Sequence, residues 1–336
     1  MCEMSAKFEL NVWSGDWGLP SIDFKCLQML AFCRFSGLPL KINATNNPLW
    51  TSLPSFRHKE AKVVEMKKLV HYLRDHNYSA DFNLSAKDMS DVLAYEALLK
   101  SHLEPALLYL LWVDDQNYVQ LMRGWYAKRL PFPTNYFVPN LYKSAAEKTV
   151  RSRFGGHALN GDMNDTMIET AILGEAQKCL TLLSERLKDE YFFGKNPSSF
   201  DALVFGYLAP LLKVPTHNRI LQNHIKSCDN LTKFVNKILH NYFPTLKEND
   251  PKNTTNDCNN SSGSPTEEEN EFPHKWRDMI LSGLFATAAM VGYALMTGLV
   301  KIDVSDDDNE YETSEAVPDL SAVFNDYEEE PQESEQ

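Results

Sequence analysis

"YFFGKNPSSFDALVFGYLAPLL", residues 191–212, is the stretch on which the reading of this chain turns. Ser198 precedes Asp201 by three positions, so its hydroxyl can receive the Asp201 amide while the carboxylate caps back onto Ser198. That reciprocal cap opens a helix. Apolar spacing predicts a second helix upstream over about 166–188 and a third downstream over about 219–240. Ser85 and Asp88 repeat the capping spacing ahead of Val92, Leu93, Leu99 and Leu103, which share a helical face. Pro105 is expected to kink or restart that helix. Residues 127–140, "AKRLPFPTNYFVPN", read as a proline-broken aromatic loop. No strand pattern intervenes, so residues 81–245 are expected to be all-helical.

Residues 1–80 have a different rhythm. "FELNVW" (8–13) is rich in β-formers, and "SGDWGLP" after it is a turn-rich loop. Ile22, Cys26, Met29, Leu30, Cys33 and Phe35 recur at helical spacing until Gly37-Leu38-Pro39 ends the run. "LKINAT" reads as a second strand, "LPSFRH" and "KVVEM" as two short ones, and "KKLVHYLRDH" as a helix. The order βαβ then ββα is that of a thioredoxin-like unit. In that fold the proline before the third strand is normally cis, and by analogy the place falls to Pro54.

The net charge of −13 is unevenly spread. Asp303 to Gln336 carries 14 acidic residues and no Lys or Arg, and residues 247–273 carry seven acidic against two basic. Residues 1–245 hold 28 Lys and Arg against 24 Asp and Glu, so the foldable part is close to neutral. No Lys/Arg-rich patch with interleaved aromatics stands out, which argues against nucleic acid as a partner. The six cysteines form no C-x-x-C pair and suit neither a zinc site nor a disulfide framework, so they read as free thiols in a reducing compartment. The N-terminal residues have no apolar core of a secretory signal. Residues 246–274, polar and aromatic-poor, read as a disordered linker, and residues 303–336 as an acidic disordered tail.

Between them, Met279 to Val300 is a run of 22 uncharged residues. As a helix it would extend roughly 33 Å at 1.5 Å per residue, against a hydrocarbon thickness of about 30 Å. With Trp276, Lys275, Arg277 and Lys301 at its flanks, residues 275–302 read as a single C-terminal transmembrane anchor with the N-terminal side in the cytosol. Ala288 with Gly292, and Ala294 with Gly298, are small-xxx-small pairs. They read equally as a packing face for another helix or barrel wall, or as small residues common in such spans.

The βαβ-ββα unit, the helical region and the capped 191–212 stretch together resemble the glutathione-transferase fold. More narrowly, "VWSGDWGLPSID", "NYSADFNLSAKD", "WYAKRLPFPTNYFVP" and "YFFGKNPSSFDALVFGYLAPLL" resemble the metaxin family, and "AMVGYALMTGLV" resembles the anchor of its membrane-bound branch. The resemblance implies a mitochondrial outer-membrane protein facing the cytosol and working in protein import and β-barrel assembly. The partners it implies are a metaxin-2-like protein and the β-barrel subunit of the sorting and assembly machinery. A tether between mitochondria and motor proteins is a further expectation to separate from it.

A glutathione transferase needs a Tyr, Ser or Cys near the end of its first strand to stabilise or bond the glutathione sulfur. It also needs a polar Glu-Ser step after the fourth strand. Here that step is Glu65-Met66, and methionine cannot donate the hydrogen bond of a serine hydroxyl. Ser14 and Ser21 stand nearest the expected nucleophile position, but serines in such loops are turn formers and caps. His71, Asp75 and His76 share a helix without a strong metal-ligand spacing and read as a solvated face. The expectation is therefore a binding protein on a transferase-like frame, with no catalytic residues, cofactor, metal or small-molecule substrate. A membrane-anchored transferase or peroxidase is the competing reading.

Overall fold

Residue 8 opens a strand whose alternation is legible in its burial. In β1 (Phe8–Trp13) Leu10 and Val12 are buried while Glu9 and Asn11 are half-buried. The computed structural model describes residues 8–45, 53–154 and 165–244, with the single positions 283, 285, 287 and 290. After β1 come α1 (Phe24–Phe35), β2 (Leu40–Thr45), β3 (Ser55–His58), β4 (Ala61–Val63) and α2 (Met66–Asp75). The sheet order is β2-β1-β3-β4. β1 runs parallel to β2, from Phe8 opposite Leu40 to Trp13 opposite Thr45, as a helical crossover requires. β3 returns antiparallel with Phe56 opposite Leu10, and β4 follows it through a tight turn at Lys59, φ 53°.

Both helices of this unit have local start or stop signals. Asp23 caps α1 by accepting the Cys26 amide at 2.9 Å. Gly37, at φ 64°, ends it, with the Leu38 amide donating to the Cys33 carbonyl at 3.2 Å. Asn77, at φ 63°, ends α2 in the same way, the Tyr78 amide reaching the Leu73 carbonyl at 2.8 Å.

The rest is helical: α3 (Ala86–Leu98), α4 (Glu104–Leu108), α5 (Asp115–Asn117), α6 (Gly124–Arg129), α7 (Thr134–Phe154), α8 (Asp165–Arg186), α9 (Ser199–Lys213), α10 (Ile220–Ser227) and α11 (Asp229–Tyr242). Three wide π turns, Leu99–Leu103, Tyr109–Val113 and Tyr118–Arg123, join α3 through α6. The first runs straight into α4, whose second residue is Pro105, and the missing N–H and bulky ring there are ones an ordinary α turn would not accept. Two expectations are corrected. Of the stretch 127–140, only Leu130–Pro133 is non-helical: Pro133 stands at a helix start, where no N–H partner is needed, and Thr134 Oγ1 donates to the Pro131 carbonyl at 2.6 Å. The single helix expected over 219–240 is two, because Cys228 leaves helical geometry at ψ 84°.

α9 is buried on nearly every face, an apolar helix at the centre of the helical half. It packs on α1, and Gly206 lies directly against Phe24 and Gln28 of that helix. A Cβ at Gly206 would overlap Gln28 Cγ and stand 2.8 Å from the Phe24 carbonyl oxygen.

The chain divides into two compact units, Met1–Pro251 and Lys252–Gln336. In the second, Gly283, Phe285, Thr287 and Met290 have helical backbone, and Thr287 Oγ1 donates to the Gly283 carbonyl at 3.0 Å. Ala288, Gly292, Ala294 and Gly298 lie outside the described residues, as do most of the 279–300 run, the linker and the tail. Among the described residues no helix is long and apolar enough to cross a membrane.

Candidate functional site

The end of the first strand is where a transferase would place its nucleophile. Here it ends in Trp13, 1% exposed. Its indole stands edge-on to Tyr126 at 5.0 Å, Trp125 at 6.3 Å and Tyr142 at 6.5 Å between ring centres. Trp112 closes the group, 5.4 Å from Tyr126 and 5.2 Å from Tyr142. Rings from α6, α7 and the turn 109–113 thus fill the space beside the strand end; those around Trp13 take the edge-on geometry that aromatic quadrupoles favour, while Trp112 is tilted against Tyr126 and Tyr142.

The loop that follows is tied down as well. Asp16 to Leu19 is a tight turn closed by the Leu19 amide on the Asp16 carbonyl at 2.9 Å, with Trp17 and Gly18 at φ 53° and 73°. A positive φ is uncommon for tryptophan, so the turn is held by its surroundings. Asp16 Oδ1 accepts the Trp17 amide, and Oδ2 accepts from Arg129 Nη2 at 3.1 Å. The Arg129 guanidinium lies over the Trp125 ring of its own helix at 4.3 Å, which orients it for the Asp16 pair that ties the loop to α6. Gly15 is required there, because a Cβ would collide with the Leu19 carbonyl.

Ser14 accepts the Ile22 amide on its carbonyl at 3.4 Å, a turn contact. Ser21 is fully buried, and its hydroxyl accepts the Asp23 amide at 3.4 Å. Beside it, burial and then the Asp23 carboxylate push the Cys26 thiol well above the usual thiol range. Burial likewise raises the Asp23 carboxyl. A thiol held protonated is a poor nucleophile, so the start of α1 is a closed knot of caps.

Glu65 stands at the N-cap of α2 without capping a backbone amide, its carboxylate pairing instead with Lys68 of the same helix at 2.8 Å, while Met66 is half-buried against the core. The Leu53–Pro54 peptide is cis, as is Phe132–Pro133. His71 and Asp75 are exposed, whereas His76 Nδ1 donates to the Tyr72 carbonyl at 2.8 Å and its ring packs against Tyr72 and His58. Among the described residues no cluster of three or more His, Cys, Asp or Glu is placed to hold a metal.

The cap of α9 is buried and doubly bonded. The Asp201 amide donates to Ser198 Oγ at 3.4 Å, and the Ser198 amide and hydroxyl donate to Asp201 Oδ2 at 2.8 and 2.6 Å. Asp201 Oδ1 also accepts the Phe192 amide at 2.9 Å. Burial pushes this carboxyl up to about 6, against the hydrogen bonds that hold it down. A further partner is one that spacing rules miss: Asp81, 118 residues away, accepts the Ser199 amide at 2.7 Å and places a carboxylate at the α9 N-terminus. Its only sequence signal is that it falls inside "NYSADFNLSAKD".

One surface is likewise visible only in the folded chain. Phe132 (42% exposed), Tyr136 (61%), Phe137 (60%) and Leu141 (43%) stand at or near the start of α7. Phe132 and Tyr136 contact edge-on at 6.1 Å, and Phe137 and Leu141 are one turn apart.

The family model described as outer mitochondrial membrane transport complex protein matches residues 26–143, and that of the glutathione S-transferase C-terminal domain matches residues 176–238. The chain is 40% identical to Metaxin-1 of Mus musculus over 309 residues, covering 89% of this chain and 93% of that protein. It is 40% identical to Metaxin-3 of Danio rerio over 247 residues, covering 71% of this chain and 77% of that protein. Among solved structures, glutathione S-transferase III in apo form aligns with a TM-score of 0.43 at 14% identity, covering 73% of this chain and 98% of that one.

Proposed function

The chain belongs to the metaxin family, and we propose that it is a non-enzymatic subunit of an outer-membrane protein import and β-barrel sorting and assembly complex of mitochondria. The observation that carries the non-enzymatic part is Trp13. The strand end that would present a nucleophile instead buries an indole among Trp125, Tyr126 and Tyr142. The Glu65-Met66 step, with methionine half-buried, supports the same reading. The match of residues 26–143 to the transport-complex family supports the location and the transport role.

In this proposal residues 275–302 are a tail anchor that leaves the first unit in the cytosol. Support comes from the uncharged run of 22 residues and its preceding basic flank. Tethering raises the effective concentration of the head for its partners, a metaxin-2-like protein and the β-barrel subunit. Purification of the full chain in mild detergent, with identification of its stoichiometric partners, tests this. Recovery of motor adaptors in place of an assembly complex would refute it. On intact mitochondria, protease should remove an N-terminal tag and spare a C-terminal one until the outer membrane is ruptured. Retention on immobilised glutathione, with turnover lost in Ser14→Ala or Ser21→Ala, would favour the enzyme reading.

A further inference from the structure

We propose that the exposed face of α7 docks on an anionic membrane surface, so that the head lies against the lipid. The first observation is the exposed stripe. Phe137, Leu141, Ser144, Lys148 and Arg151 are all exposed and recur every three or four residues, which aligns them along one side of the helix. Its N-terminal half is apolar and its C-terminal half cationic, with Tyr136 and Phe132 beside the apolar end. Aromatic and aliphatic side chains flanked by cations are the pattern of elements lying in a membrane interface.

The second observation is charge. Residues 118–154 hold seven Lys and Arg against one acid, Glu147, although residues 1–245 as a whole are nearly balanced. Lys143 is engaged by Asp115 and Arg129 by Asp16. Among the described residues no carboxylate forms a salt bridge with Arg123, Lys128, Lys148 or Arg151. A convex helix face with exposed rings and uncompensated cations suits a lipid surface of negative charge, and it repels a basic peptide. The inference rests on the reading that the chain works at a membrane.

The test uses the full chain with Gly292→Asp and Leu295→Asp, which disable the anchor without adding cations. Co-sedimentation is measured with phosphatidylcholine vesicles, with and without phosphatidylinositol. Binding is expected only to the anionic vesicles, and it should weaken as salt is raised. Lys148→Gln with Arg151→Gln should lower binding by about 30-fold, at roughly fivefold per cation near the surface. Phe137→Asp with Leu141→Asp, both exposed, should abolish it while leaving circular dichroism unchanged. Equal binding to both vesicle types, no binding, or parent-like binding of the Phe137→Asp, Leu141→Asp chain overturns the proposal. Loss of a stoichiometric protein partner from that chain with vesicle binding intact also overturns it, and assigns the face to a protein. None of these failures alters the outcome of the partner purification, so the two readings are judged separately.

Discussion

Replacing Gly206 by alanine tests whether the contact of α1 with α9 holds the two halves of the first unit together. On helix propensity alone the change should stabilise, by about 1 kcal/mol. Geometry opposes it: the new methyl would overlap Gln28 Cγ and stand 2.8 Å from the Phe24 carbonyl oxygen. The side chain can give way, but the carbonyl belongs to α1, whose start is pinned by the Asp23 cap. Inserting one methyl into a packed core costs about 1–3 kcal/mol, and a backbone obstacle places this case toward the upper end. The expected net result is a loss of about 1–2 kcal/mol, read as a lower guanidinium midpoint with unchanged slope in titrations of residues 1–251. Tryptophan fluorescence is a suitable probe, since Trp13, Trp112 and Trp125 are buried. Gln28→Ala in the same chain should recover part of the loss, with a coupling of at least about 0.5 kcal/mol. A Gly206→Ala chain more stable than its parent would refute the close crossing.

Three further outcomes follow from the same geometry. Ser198→Ala should cost about 1 kcal/mol, and adding Asp201→Ala should cost less than the sum of the two single changes, because both break one box; additive losses in a denaturant titration would argue against the reciprocal cap. Asp201, raised from 3.8 to about 6 by burial, binds its proton more readily in the folded state, so its contribution to stability is present below about pH 4 and is lost as pH rises to about 6. Asp201→Asn should flatten that slope while lowering stability overall, and midpoints measured from pH 4 to 7 check both effects. Trp13→Ala should cost about 3–5 kcal/mol by opening a cavity among Trp125, Tyr126 and Tyr142, whereas Trp13→Phe should keep more than half of that stability; equal losses in thermal melts would show that the cluster is not packed as described.

The elements legible in the amino-acid order are those whose causes lie within a few residues. β1 shows its alternation, Ser85–Asp88 and Ser198–Asp201 show their capping spacing, and Gly37 marks the end of α1. The strand shows in its two-residue pleat, and the caps and helix end in bonds spanning three to five residues, so local sequence carries the information. The proline-dense stretch 127–140 misled because proline both breaks helices and starts them, and which role holds depends on whether a donor is needed at that point. At Pro133 none is needed, since Thr134 caps onto the Pro131 carbonyl and α7 begins at once.

The contacts that close the expected catalytic position, and the second carboxylate at the α9 N-terminus, arise from long-range packing. Trp13 meets Trp125 across most of the first half of the chain, Arg129 meets Asp16 at a separation of 113 residues, and Asp81 meets Ser199 at 118. No periodicity or spacing rule reaches that far, because such pairs depend on how the sheet and the helices pack on one another. The same holds for α7. Its aromatic content is visible in the sequence, but whether Phe137 and Leu141 turn inward or outward depends on which face of the helix the core leaves over, and here Ala146 and Val150 take the inner side.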